Sequence, residues 1–106
     1  MDQGPRPEPI LSDFAGDPEM KELLAMFVSD LPAKLDAIER AWRAADVDSI
    51  RRIAHQLKGA SGGYGFGTVG SAAARLEATL NTQTSDLESA QQELLSLLEI
   101  CRRVQA

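Results

Sequence analysis

The sequence predicts an all-α protein: an antiparallel four-helix bundle with a short N-terminal helix or extended lead-in. Apolar residues recur every three or four positions through most of the chain, which is the period of helices with one buried face. No segment alternates between apolar and polar residues as a half-buried strand would. A chain of 106 residues can bury one core but leaves little for a second domain.

The N-terminal part of the chain contains the first boundary. Three of the five prolines lie among the first nine residues, so we expect a flexible lead-in over 1–9 and one domain over 10–106. Asp17 and Pro18 form a strong helix start. The apolar residues that follow form a stripe along one helix face, and their helical spacing is the same before and after Pro32. One long bent helix is therefore expected. Its predicted core positions are Met20, Leu23, Leu24, Phe27, Leu31, Leu35, Ile38, Trp42 and Ala45.

Three further helices follow at short intervals. The second starts at Asp46 or Asp48 and enters a glycine-rich breaker at 62–67. Thr68 is the predicted N-cap of the third, residues 81–84 form a turn, and Ser85–Glu88 is a capping box for the fourth. The expected core positions are Ile50, Ile53, Ala54, Leu57, Ser61 and Tyr64; Phe66, Val69, Ala73, Leu76 and Leu80; and Leu87, Ala90, Leu94, Leu97, Leu98, Cys101 and Val104.

Composition excludes several classes of function. Eleven Lys and Arg residues against sixteen Asp and Glu give a net charge of −5, which argues against a nucleic-acid binder or a polybasic membrane-surface protein. The single cysteine excludes a disulfide framework and a cysteine-based zinc site. Neither a secretory signal nor an apolar stretch long enough to span a membrane is present, so a cytoplasmic protein is expected. No metal site is expected, because the chain has one cysteine and one histidine.

The only histidine, His55, lies on the polar side of the second helix. On a helical wheel it falls about 140° from Ile50, which marks the core side. Its neighbours one turn away are Arg51, Lys58 and Gly59. An exposed neutral imidazole is a competent nucleophile, and a lysine three residues later would suit a phosphoryl group attached to the ring. Gly59 and Gly62 (four and seven residues later) leave room for close approach by another domain.

A charge asymmetry surrounds this histidine. Residues 49–76 contain no Asp or Glu, although the chain has sixteen, and they include Arg51, Arg52 and Lys58. An acidic protein is therefore expected to have one basic surface that fits an acidic partner. The residues that we expect to contact this partner are Gln56, Gly62, Arg51 and Arg52.

Each of these features also has an ordinary structural interpretation. A lone exposed histidine is usually incidental, Lys58-Gly59 is typical of a helix C-terminus, and paired arginines often form a solvated face. The glycine-rich stretch lacks the Lys-Ser/Thr that would complete a phosphate-binding loop, and neither a dinucleotide fingerprint nor the parts of a protein kinase are present. The chain is thus not expected to bind ATP and phosphorylate itself.

The segment Ala54-His55-Gln56-Leu57-Lys58-Gly59-Ala60-Ser61 resembles the signature of histidine phosphotransfer (HPt) domains of multistep phosphorelays. That signature is His, an aliphatic residue at +2, Lys at +3, Gly at +4, small residues, and Gly at +10, here Gly65. Leu31-Pro32 and Ala74-Arg75-Leu76-Glu77 are also similar to the family, and the resemblance extends from about Ile10 to the C-terminus. It implies a four-helix bundle with the histidine exposed midway along one helix. It also implies that His55 is phosphorylated, on Nε2, that Lys58 stabilises the phosphoryl group, and that Gly59 gives access.

The expected function is that of a phosphocarrier without a nucleotide site of its own, and so not an enzyme in the usual sense. By the resemblance, it would shuttle a phosphoryl group between the aspartates of receiver domains through His55, as a monomer whose partners are receiver domains and a hybrid sensor kinase. Mg²⁺ would lie on the receiver, with no cofactor here. The expected docking surface is the exposed face of the His55 helix with Met26, Ser29 and Asp30 of the first long helix. One alternative is a docking module that inhibits a receiver or kinase without carrying phosphate. Another, a dimerising two-helix kinase segment, is disfavoured because the chain has four helical stripes.

Overall fold

Four α-helices make up most of the described part of the chain, which comprises residues 8–82 and 87–106 of a computed structural model. They are α1 (Lys21–Arg43), α2 (Val47–Gly63), α3 (Gly67–Thr82) and α4 (Gln91–Arg102), with 3-10 helices at Pro18–Met20 and Leu87–Ala90. The described residues contain no strand, and an isolated bridge pairs Ile10 with Val104. The predicted all-α helical bundle is confirmed. Most of the expected lead-in (1–7) and parts of the expected turn and capping box (83–86) lie outside the described residues.

The start of α1 follows the capping signals in the sequence. Asp17 Oδ1 accepts a hydrogen bond of 2.9 Å from the Glu19 backbone N–H, and Pro18 occupies the first position of the 3-10 turn that leads into α1. Pro32 is exposed and lies within α1 without ending it, so one helix carries both halves of the stripe. Buried α1 residues are Leu24, Phe27, Leu31, Ile38 and Ala41.

Two residues assigned to the α1 stripe lie outside the core. Leu23 is 43% exposed because it lies about 100° around the helix from buried Leu24. Ala45 is beyond the end of α1 and has a φ of +54°. Its N–H donates to the Trp42 carbonyl at 3.0 Å, and the Asp46 N–H donates to the Ala41 carbonyl at 2.9 Å. These two bonds form a Schellman motif with alanine at the left-handed position, so the chain turns there instead of continuing the helix.

The turn between α2 and α3 has the same design with glycine in the left-handed position. Gly65 has a φ of +79°, and the Phe66 N–H donates to the Ser61 carbonyl at 2.9 Å. The motif ends α2 and directs Phe66 into the core, where its ring stacks on Phe27 with centroids 5.0 Å apart. Tyr64, expected in the stripe, is the half-buried C-cap of α2. Helix α3 starts at Gly67, one residue before the expected N-cap Thr68.

Helices α2 and α3 form the most closely packed pair in the bundle. They are antiparallel, since His55 near the middle of α2 contacts Glu77 while Ser61, further along, lies against Gly70. The expected apolar positions on α3 and α4 are buried, including Cys101, whereas Leu87, expected in the last stripe, is half-buried. None of the described helices is long and apolar enough to cross a membrane. The largest fully buried apolar side chains of the core are Ile38, Ile50, Leu57, Phe66, Val69, Leu76, Leu80 and Leu97.

Candidate functional site

His55 projects from the middle of α2 with 65% of its side chain exposed. The residues on the opposite side of the helix explain this orientation. Ala54 and Leu57 are fully buried and, with Ile50 and Ser61, fix the rotation of α2 against the core. His55 is about 100° around the helix from Ala54 and is therefore directed to solvent, as the sequence predicts.

Glu77 of α3 binds both the histidine and the lysine of the site. Its Oε2 lies 2.7 Å from His55 Nδ1, and its Oε1 lies 2.8 Å from Lys58 Nζ. The Glu77 side chain is only 15% exposed, whereas 41% of the Lys58 side chain is accessible. The close packing of α2 and α3 brings these three side chains together, although Glu77 is 22 residues from His55 in the chain.

The environment of Glu77 keeps its carboxylate charged. The hydrogen bond from Lys58 lowers the pKa of Glu77 below its usual 4.5, and the His55 hydrogen bond acts in the same direction against partial burial. A carboxylate that is ionised at neutral pH can only accept a hydrogen bond, so Nδ1 must carry the proton of this contact. In the neutral ring this leaves the lone pair on Nε2. The site therefore presents an imidazole whose tautomer is set by its neighbour.

Gly59 and Gly62 keep the surface beside His55 free of side chains. Both are exposed, and a Cβ added at either position would meet nothing within 4 Å. Packing within the chain therefore gives no reason for glycine at these two sites. A residue with a side chain would instead occupy space next to the ring, where a second molecule would approach.

The other expected partner-binding residues lie on α2, with different surroundings. Gln56 and Arg52 are exposed, and Arg52 Nη2 lies 3.5 Å from Ser49 Oγ. Arg51 is half-buried and forms an ion pair with Asp48, three residues earlier on the same helix. The structure therefore places Gln56 and Arg52 on an open face, while Arg51 already has an acidic partner.

The basic surface expected around His55 is partly neutralised in the folded protein. Asp48 pairs with Arg51, and Glu77 pairs with Lys58, although both acids lie just outside the acid-free segment 49–76. Glu77 is the member of this candidate site that the sequence does not predict, beyond its place in the family-like segment 74–77. The one available signal was its place as the first acid after the acid-free segment.

The described residues offer no second chemical centre. Across 8–82 and 87–106, no group of three or more His, Cys, Asp or Glu side chains is placed to hold a metal ion. Cys101 lies at the bundle interior, and burial raises the pKa of its thiol to about 12, so it stays protonated at neutral pH. Its role in these surroundings is that of a small apolar core residue.

An exposed apolar area on α1 lies near the C-terminal end of the His55 helix. Leu23 and Met26 are exposed, and the neighbouring Phe27 ring lies 5.2 Å from the ring of Tyr64, the C-cap of α2. Ser29 and Asp30, also expected at the docking surface, are exposed as well.

Comparison with known proteins places the chain in a family. The family model described as "Hpt domain" matches residues 22–106, which include all four α-helices but for the first residue of α1, together with the site. No curated protein and no solved structure matches the chain. An exposed histidine on a helical bundle and a family match over most of the chain lead to the same conclusion. The chain belongs to the Hpt domain family, whose members carry out histidine phosphotransfer in two-component phosphorelays.

Proposed function

We propose that this protein is a phosphocarrier that accepts a phosphoryl group on His55 from the aspartyl phosphate of one receiver domain. It then passes the group to the aspartate of another. The observation that carries the proposal is the contact of 2.7 Å between His55 Nδ1 and Glu77 Oε2. It engages one ring nitrogen and leaves the other as the nucleophile on an exposed ring.

The transfer step follows from that arrangement. The Nε2 lone pair attacks phosphorus, a P–N bond forms, and the P–O bond to the aspartate breaks with its electrons leaving on the carboxylate. The ring gains positive charge as the bond forms, while its Nδ1 proton stays hydrogen-bonded to the Glu77 carboxylate. Glu77 thus acts as a positioning residue that also favours the developing charge. Transfer to the next aspartate is the same step in reverse.

Lys58 supplies the cation for the incoming group. Its ammonium lies 2.8 Å from Glu77 Oε1, one helical turn from His55, and its side chain is accessible to solvent. A dianionic phosphoryl group on Nε2 would compete with Glu77 for this ammonium. We expect Lys58 to move from the carboxylate towards the phosphoryl oxygens when the histidine is phosphorylated.

The partner surface combines the open face of α2 with the exposed part of α1. The receiver would be contacted around its active-site pocket by Gln56, Arg52, Gly59 and Gly62. The exposed side chains of Leu23 and Met26 would contact an apolar part of the receiver surface. Mg²⁺ and the carboxylates that activate the aspartate would belong to the receiver. We place the protein in the cytoplasm as a monomer that a hybrid sensor kinase supplies with phosphate.

Incubation with a receiver domain carrying labelled phosphate tests the proposal. Label should pass to the wild-type chain and be lost in acid, as expected of the labile P–N bond, whereas the His55→Gln chain should acquire none. Gln92→Ala is the control, because Gln92 is exposed on α4, outside the proposed partner surface, and the variant keeps the imidazole. Label on His55→Gln, or none on the wild type from any receiver tested, would defeat the proposal. Receiver binding without transfer would instead support the inhibitory docking module.

A further inference from the structure

The segment 8–17 precedes the residues that match the family, yet it is hydrogen-bonded to two distant parts of the bundle. One attachment is to the C-terminal end of the described chain. The Ile10 N–H donates to the Arg103 carbonyl at 2.8 Å, and the Gln105 N–H donates to the Ile10 carbonyl at 2.9 Å. The Arg103 Nε also donates to the Glu8 carbonyl at 2.8 Å. We refer to residues 8–17 as the clamp.

The second attachment of the clamp is to the end of the His55 helix. Ser12 Oγ donates to the Tyr64 carbonyl at 2.6 Å, and the Asp13 N–H donates to the Gly65 carbonyl at 2.9 Å. Carbonyls at a helix C-terminus have no partner within the helix, so the clamp satisfies groups that α2 cannot satisfy itself. The fit is close, because a Cβ on Gly65 would lie 2.6 Å from Ser12 Oγ.

Helix α2 needs support at this end more than an ordinary helix does. Three of its last five residues are glycines (Gly59, Gly62 and Gly63), and glycine disfavours the helical conformation. These glycines also contribute no side-chain packing. The order of the last two turns of α2 therefore depends on contacts from outside the helix, and the clamp provides two of them.

The same end of α2 is connected to the phosphoryl site. At Gly70, α3 approaches the α2 backbone so closely that a Cβ there would lie 3.5 Å from the Lys58 carbonyl oxygen. Helix α3 also carries Glu77, which spans the gap to His55 and Lys58. Loosening the end of α2 would change the spacing between the two helices and so the geometry of these three side chains.

The clamp itself is held weakly. Ser12 is its one buried residue, Ile10 is half-buried, and the apolar side chains of Leu11 and Phe14 are 53% and 40% exposed. A segment with little buried apolar surface opens at low cost compared with the core. It can therefore detach while the bundle stays folded.

We propose that residues 8–17 are a releasable clamp on the glycine-rich end of the His55 helix, and that its release slows phosphoryl acceptance at His55. The second half of this statement rests on the proposed function. A molecule that displaces the clamp would therefore control phosphoryl acceptance without covering His55.

Two substitutions in the full chain test the two attachments separately. Ser12→Ala removes the side-chain donor to Tyr64, and Ile10→Pro removes the backbone donor to Arg103. Ser96→Ala, an exposed serine on α4, is the matched control. Amide hydrogen exchange over residues 59–66 and the initial rate of label transfer from a phosphorylated receiver are measured for each, with circular dichroism to verify that the bundle is folded.

Ser12→Ala should speed exchange over 59–66 by about two- to tenfold, the effect of losing one net hydrogen bond. It should slow phosphoryl acceptance by about two- to tenfold, which is a usual size for coupling between sites. Ile10→Pro should also speed exchange over 59–66 and slow phosphoryl acceptance, and Ser96→Ala should change neither rate. Unchanged exchange overturns the clamp, and faster exchange with unchanged acceptance overturns its coupling to the site. A wild type that accepts no phosphate would defeat the proposed function, while the exchange comparison would still decide whether the clamp exists.

Discussion

The hydrogen bonding of the His55 imidazole depends on a residue on another helix. Glu77 fixes which ring nitrogen holds the proton, and Lys58 in turn holds the Glu77 carboxylate in its ionised form. Glu77 therefore links the histidine and the lysine, which both contact its carboxylate. A lone exposed histidine would be free to adopt either tautomer and would lack a neighbouring cation.

Replacing Lys58 with alanine should weaken the chemistry while leaving the fold intact. The lost ammonium would remove a charge-assisted contact to the phosphoryl group, so we expect transfer to slow about ten- to hundredfold. Single-turnover transfer from a phosphorylated receiver measures this effect, with Lys21→Ala, an exposed lysine at the start of α1, as the control. Kinetics equal to wild type would mean that Lys58 is only a solubilising charge or a helix-end residue.

At the scale of the elements, the two Schellman turns differ in the residue that occupies the left-handed position. The turn after α2 has Gly65 with a φ of +79°, whereas the turn after α1 has Ala45 with a φ of +54°. Alanine in this conformation places its Cβ too close to the following carbonyl, which costs about 1–2 kcal/mol. The α1–α2 turn is thus less well matched to its sequence than the turn that the clamp holds.

Ala45→Gly should therefore stabilise the protein by about 1 kcal/mol, the strain relieved less the extra entropy of glycine in the unfolded chain. The free energy of unfolding from urea denaturation measures this gain. Ala44→Gly is the matched control, since Ala44 has a right-handed backbone and glycine there brings only the entropic loss. A loss of stability in Ala45→Gly comparable to that of the control would show that the left-handed alanine is not strained.

At the scale of the whole molecule, the site links stability to pH. The pKa of Glu77 is lowered in the folded protein, mainly by the Lys58 hydrogen bond, so ionised Glu77 stabilises the folded state. This contribution is fully present above pH 4.5, the usual value, and is lost as the pH falls through the lowered pKa. Hydrogen bonds from Ser49 also lower the pKa of Asp46, which adds a contribution of the same sign at the start of α2.

Glu77→Gln should make the unfolding free energy less dependent on pH as the pH falls below 4.5 and through the lowered pKa of Glu77, because the variant has no carboxylate to protonate at this position. Urea denaturation at a series of pH values tests this for wild type and variant. Asp46 is present in both, so the difference between the two curves isolates Glu77. Glu22→Gln, an exposed acid on α1, controls for the change in net charge. Parallel curves for wild type and Glu77→Gln would contradict the linkage.

The sequence by itself determined the helical fold and the position of the histidine. The spacing of Leu24, Phe27 and Leu31, and of Ile50, Ala54 and Leu57, forces one side of each helix into the core, because burying apolar surface dominates folding. His55 then has to face solvent. Local residue chemistry also determined helix ends. The Asp17 side chain and Pro18 start the first helical turn, and Gly65 adopts the left-handed backbone that ends α2.

Only the tertiary structure decided the surroundings of that histidine. Local periodicity places a residue on a face of its own helix, but it contains no information about which residue of another helix lies opposite. Glu77 meets His55 and Lys58 because α2 and α3 pack closely and antiparallel in one register, and Ser12 meets Tyr64 across 52 positions for a comparable reason. These contacts depend on the packing of the whole bundle. The sequence therefore indicated the exposed histidine, whereas the fold supplied the carboxylate that sets its tautomer.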